Sequence, residues 1–157
     1  MQLHPALFPN AGLGLREFRR VLRNGGRAGI CVISTPDRAP MWGILADVLG
    51  RHLPDQRSIA QLSFSLADPA RLDALFTNAG FQDIHIEQQK REGVFDSFEE
   101  YWKPISAGTG SLPQIYLTLP EPERNMVRDE VRARLAEFQS TGQFRMSVEM
   151  LVASGRA

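Results

Sequence analysis

Residues 15–33 read Leu15-Arg16-Glu17-Phe18-Arg19-Arg20-Val21-Leu22-Arg23-Asn24-Gly25-Gly26-Arg27-Ala28-Gly29-Ile30-Cys31-Val32-Ile33. The stretch predicts an amphipathic helix, a glycine turn and a buried strand. Leu15, Phe18 and Leu22 share one helical stripe, and Arg16, Arg19, Arg20 and Arg23 largely turn away from it. Asn24-Gly25-Gly26 stops the helix, because Asn and Gly accept the left-handed conformation that ends one. Residues 27–34 show no polar alternation. A strand apolar on both faces belongs inside a sheet with helices on both sides. The fold class implied is α/β.

Outward from this unit, Ser34-Thr35-Pro36-Asp37-Arg38-Ala39-Pro40 is a loop, and Pro40 opens a helix reaching about residue 52. Its apolar face is Trp42, Leu45, Val48 and Leu49, and a loose segment follows to Ser65. Asp68-Pro69 starts another helix with an N-cap and a first-position proline, and Gly80 closes it. Alternation over Phe81–Glu87 predicts a half-buried strand, extending to about residue 88. Ser97-Phe98-Glu99-Glu100 is a capping box ahead of Tyr101 and Trp102. Gly108-Thr109-Gly110 reads as a flexible joint. Thr118-Leu119-Pro120-Glu121 offers a cap for a long helix to about Gln139, with Val127, Val131, Leu135 and Phe138 as its stripe. A last strand covers about residues 143–153.

The 157 residues suit a single domain, 1–157, with a core of ordinary size. Formal charge is zero, so no global field draws nucleic acid or an anionic membrane; neither is expected as a partner. All 18 basic residues are arginine except Lys90 and Lys103, and they are spread along the chain. One cysteine, Cys31, excludes an intrachain disulfide and suits a small buried hydrophobe in mid-strand. No apolar run approaches the roughly 18 residues needed to span a bilayer. Met1-Gln2-Leu3-His4-Pro5 lacks the order of a signal peptide, which makes the cytoplasm the expected location. His4, His52 and His85 stand far apart with no partners at metal spacing, so no metal site is expected.

The helix–turn–strand unit resembles the late helix and fifth strand of class I S-adenosylmethionine-dependent methyltransferases, where the helix commonly reads ALREhxRVLxPGGR, h being apolar. The matching residues are Leu15, Arg16, Glu17, Phe18, Arg20, Val21, Leu22, Gly25, Gly26 and Arg27, with Gly14 for the alanine and Asn24 for the proline. Leu7-Phe8-Pro9-Asn10 resembles an FFPD-like turn of one branch, the methyltransferase type 11-like one. Phe64-Ser65-Leu66-Ala67-Asp68-Pro69, Asn78-Ala79-Gly80-Phe81 and Phe95-Asp96-Ser97-Phe98-Glu99-Glu100-Tyr101-Trp102 are similar to that branch as well. The resemblance implies the C-terminal part of a Rossmann-like sheet. It has three strands in family order 5-7-6, the last antiparallel and central, with flanking helices.

The family's glycine-rich turn and ribose-binding acid are not present, and Gly12-Leu13-Gly14 follows no strand. The chain therefore reads as the substrate-side half of a methyltransferase for a small acceptor, truncated of its cofactor half. S-adenosylmethionine enters by resemblance only, and none is expected on the isolated chain. In a completed fold Gln2, Leu3 and His4 would border the cofactor. Ser34 and Thr35 leave the carboxyl end of a strand, where open α/β sheets bind ligands. Met41, Trp42, Tyr101 and Trp102 correspond to segments that line an acceptor pocket in relatives, although the residues themselves favour core or interface packing. No catalytic residue stands out, since methyl transfer from a sulfonium needs mainly alignment. A different reading is a non-catalytic, degenerate domain that serves as an oligomer or interaction module. An unguarded apolar strand edge around Ile30–Ile33 predicts a homodimer, or a separate chain supplying the front half.

Overall fold

A computed structural model describes residues 10–157, less the side chains of residues 56–59. Helix α1 (Ala11–Val21) leads into β1 (Arg27–Ile33), followed by α2 (Pro40–His52), a 3-10 turn and α3 (Arg57–Leu62). Next come α4 (Pro69–Asn78), β2 (Gln82–Phe95), α5 (Phe98–Ser106), α6 (Ser111–Leu117) and α7 (Glu121–Leu135). Strands β3 (Gln139–Ser140) and β4 (Gln143–Arg156) are last. The described residues thus form an α/β fold with a four-stranded antiparallel sheet and seven α-helices. Among them, no helix is long and apolar enough to cross a membrane.

β4 lies between β1 and β2 and runs antiparallel to both. The count of three strands needs correction. The extra strand, β3, folds back on the start of β4, pairing Gln139 with Phe144 and Ser140 with Gln143. Thr141 and Gly142 make the turn with φ of 50° and 86°, the doubly left-handed geometry that suits a tight hairpin. Both long strands also outrun their expected ends. β2 continues through Gln88–Glu92, where apolar alternation stops, because β4 supplies charge partners: Lys90 faces Glu149 and Glu92 meets Arg145 at 2.9 Å. Asp83 sits in a bulge with φ of 48°, and its carboxylate holds Arg156 at 2.8 Å.

Alternation along β4 sends apolar residues to both faces. Phe144 and Met146 join one core with Leu45 and Leu49 of α2, Trp102 of α5, and Val127, Val131 and Leu135 of α7. Leu151 and Ala153 join the other with Ile30, Val32, Leu15 of α1, and Leu72 and Phe76 of α4. Each Val, Leu, Ile, Phe or Met side chain among them contributes roughly 1.5–3 kcal/mol by leaving water. Gly155 permits the close approach of α4 to the sheet, since a Cβ there would lie 2.9 Å from both Phe76 and Phe81 side chains.

Side-chain caps set the helix starts. Asn10 accepts from the Leu13 amide at 3.2 Å, Asp68 from Ala70 at 2.9 Å and Ser97 from Glu100 at 3.2 Å. Glu100 reaches back to the Asp96 amide at 2.6 Å, one residue before the usual capping-box donor. Thr118 does not open α7: its hydroxyl donates to the Ile115 carbonyl at 2.7 Å and closes α6. The stretch expected to be loose contains α3, anchored by buried Ala60.

Candidate functional site

The site begins where β1 ends. The Arg38 and Ala39 amides both donate to the Thr35 carbonyl, at 3.0 and 3.1 Å, folding residues 35–39 into a tight turn. Pro40 then starts α2 without needing an amide partner and places Met41 and Trp42 in its first turn. Gly43 lets the helix press on this loop: a Cβ there would fall 2.2 Å from the Pro36 carbonyl oxygen.

Beside this turn lies a cavity of about 400 Å³. Ile33 of β1 and Val148 and Met150 of β4 line it on the sheet side, and Met41 and Trp42 line it from α2. Thr109 and Gly110 contribute from the loop before α6, and Ser111, Leu112 and Pro113 from its first turn. Ser63 completes the lining, its hydroxyl 3.3 Å from that of Ser111. Ile33, Val148 and Met150 belong to the same sheet face as Phe144 and Met146, so the cavity continues the larger core outward.

Of the residues singled out from sequence, Met41 and Trp42 line this cavity directly. Tyr101 and Trp102 stand behind it in the core. The Tyr101 hydroxyl donates to the Met41 carbonyl at 2.7 Å, and burial pushes the phenol far above its ordinary ionisation range. Trp102 stacks on Phe98 and meets Tyr116 edge-on, with ring centres 5.4 and 5.2 Å apart. Gln2, Leu3 and His4 lie outside the described residues. His52 sits 3.0 Å from Glu130 on α7, and His85 lies beside Glu87 on β2. Among the described residues no three His, Cys, Asp or Glu side chains gather to hold a metal ion.

Ser34 has a different surrounding from the one its position suggested. It is buried, and its hydroxyl donates to Glu149 Oε1 at 2.8 Å. Arg38 donates to the same oxygen at 3.0 Å, and Lys90 Nζ lies 3.7 Å from Oε2. Glu149 is only 2% exposed, yet Arg38 and Lys90 remain in solvent, so the carboxylate is roofed by side chains rather than sunk in the core. The Ser34 hydroxyl and then Arg38 hold its pKa below the ordinary carboxylate range, against the opposing effect of burial. The backbone repeats the link: Ser34 N–H donates to the Glu149 carbonyl at 3.0 Å and Glu149 N–H to the Arg38 carbonyl at 3.1 Å. Thr35 Oγ1 is buried without a partner at full hydrogen-bond geometry. It still favours the nearby exposed Asp37 carboxylate, whose pKa lies below its usual value.

Sequence reading missed Glu149, Ser63 and the Thr109–Pro113 wall. A glutamate between Val148 and Met150 in a strand core was the visible sign of the first. The others had none, because α6 and the loop before it reach the cavity only through tertiary packing.

No family model and no curated protein matches the sequence. Among solved structures, the chain is similar to a Bacillus halodurans C-125 protein titled a "putative methyltransferase". The TM-score is 0.51 at 16% identity, over 99% of this chain and 66% of that one. The chain thus spans just under two thirds of that protein's length. What they share is the fold.

Proposed function

We propose that this chain forms the acceptor-binding side of an S-adenosylmethionine-dependent methyltransferase for a small molecule. The observation that carries the proposal is the cavity at the carboxyl end of β1, in a fold similar to a methyltransferase's. Ligands of open α/β sheets bind at that end of the strands. Residues of this chain would hold and orient the acceptor: Met41 and Trp42 from α2, and Ser63 by its hydroxyl.

The described residues do not fit the methyl donor by themselves. Gly12 and Gly14 lie inside α1, and Gly14 is buried there, so they form no turn that could approach a nucleoside. Ser34 is committed to Glu149. The donor would be held by a segment with a glycine-rich strand–turn–helix. Calorimetry tests this division. The chain alone should bind S-adenosylmethionine weakly or not at all, and a mixture with the product of an adjoining reading frame encoding such a unit should bind it at micromolar Kd. Low-micromolar binding by the chain alone, or none by the pair, counts against the reading.

A second reading, a degenerate non-catalytic module that works as a homodimer, is favoured by the outer edge of β1. Among the described residues that edge has no strand partner. Next to it a hollow of about 250 Å³ is lined by Phe18, Val21, Leu22 and Ala28, with Val21 65% exposed. Edge pairing between two copies, or exchange of residues 1–12, would cover both features. Light scattering at micromolar concentration should then give a dimer that Val21→Glu weakens; a monomer excludes it.

A further inference from the structure

Among the described residues, the cavity beside Trp42 is lined by eight apolar side chains or backbones and three hydroxyl residues, and none of these carries a formal charge. Two charges at neighbouring strand positions are engaged elsewhere. Arg91 pairs in register with Val148 on the same sheet face, but it is exposed and its guanidinium donates to the Lys90 carbonyl at 2.9 Å. Glu149 follows Val148 in the chain, so its side chain leaves the opposite face of the sheet, where Ser34 and Arg38 hold it.

From this we infer that the cavity takes an uncharged, largely apolar small molecule bearing one hydroxyl or carbonyl group. An ionised ligand would give up its hydration here without meeting a counter-charge among the described lining residues, which is costly. The Ser63 hydroxyl, 3.3 Å from that of Ser111, can donate or accept, so it can meet either kind of polar group. Met41 and Met150 are unbranched and adapt to different apolar shapes, and Trp42 adds aromatic surface. About 400 Å³ falls within the range of small-molecule sites. The inference names the acceptor class for the proposed function and rests on that reading for its use in methyl transfer, but binding by itself requires no methyl donor.

The test uses two fluorophores on the same skeleton, neutral N-phenyl-1-naphthylamine and its 8-sulfonate, titrated into the full chain. The neutral compound should bind saturably, and the sulfonate at least tenfold more weakly. Val148→Trp, which fills the cavity from the sheet, should remove neutral-probe binding. Thr109→Trp lies on an exposed loop that tolerates bulk, and it should weaken binding at least tenfold with an unchanged unfolding midpoint. Equal or tighter binding of the sulfonate, lost in the same variants, would overturn the charge assignment while leaving the cavity as an acceptor site. Neutral-probe binding that survives both variants, or fails in the parent chain, would overturn the inference entirely. Normal probe behaviour combined with no methyl-donor binding by the reconstituted pair would instead sink the methyltransferase reading alone.

Discussion

The hydroxyl of Ser34, the first residue beyond β1, donates at 2.8 Å to the carboxylate of Glu149 in the middle of β4. Two strands that already share backbone bonds are thereby joined again at the point where the chain leaves the sheet for the cavity wall. Ser34→Ala removes a buried hydrogen bond to a charged group, a change that costs about 1.5–3 kcal/mol. Urea denaturation should show that loss as a lower midpoint with an unchanged slope.

Acid should reveal the same cluster. The Glu149 pKa is depressed from its ordinary 4.5 in the folded chain, so the unfolded chain binds more protons across that interval. Its contribution to stability is complete above the unfolded value and is lost as pH falls through the lower folded one. Glu149→Gln should therefore flatten the dependence of the unfolding midpoint on pH below about 4.5. Parent and variant curves that stay parallel through this window would show that Glu149 is not held as described.

Gly43→Ala places a methyl group 2.2 Å from the Pro36 carbonyl oxygen, a backbone atom that cannot rotate aside. The strain should reach the upper end of the roughly 1–3 kcal/mol typical of overpacking. Because α2 must back away from the loop, Met41 and Trp42 move with it. A shift in Trp fluorescence should accompany the lower thermal midpoint, and Gly29→Ala, where the new Cβ meets nothing nearer than 3.8 Å, serves as the comparison.

Tyr101→Phe keeps the ring in the core but deprives the Met41 carbonyl of its 2.7 Å donor. The expected cost is about 1 kcal/mol, seen in chemical denaturation. A neutral result would mean that water replaces the hydroxyl at the back of the cavity wall.

Cys31 should react slowly. Burial raises its pKa above the ordinary 9.0, and its thiol lies 3.6 Å from Met150 Sδ, so little thiolate exists at neutral pH. Iodoacetamide at pH 8 should label the folded chain at least several-fold more slowly than the urea-unfolded chain. Equal rates would place Cys31 in open solvent.

Local spacing was sufficient wherever a segment's own residues settle its conformation. The Leu15–Phe18–Leu22 stripe, the Asn24-Gly25-Gly26 stop and the apolar run of β1 follow from neighbours within a few residues, as do the caps at Asp68 and Ser97. The α/β class came from the same local evidence, since a strand apolar on both faces demands helices on both. Met41 and Trp42 became site candidates through the family resemblance, and Pro40 marks where their helix begins. Other features depended on chain segments distant in sequence. The polar half of β2 is a strand only because Glu149 and Arg145 of β4 face it, more than fifty residues later. Thr118 could serve the helix on either side, and packing assigned it to α6. For Ser34 the sequence allowed a ligand hydroxyl or a loop cap, and only β4 brings Glu149 within its reach; for Tyr101 and Trp102 it allowed pocket or packing, and the tertiary fold places both in the core. The cavity itself has no sequence signature, for its walls come from β1, α2, Ser63, the start of α6 and β4, which meet only when one face of β4 is covered. Periodicity records which side of a segment avoids water, whereas the identity of what covers that side is decided by the tertiary fold.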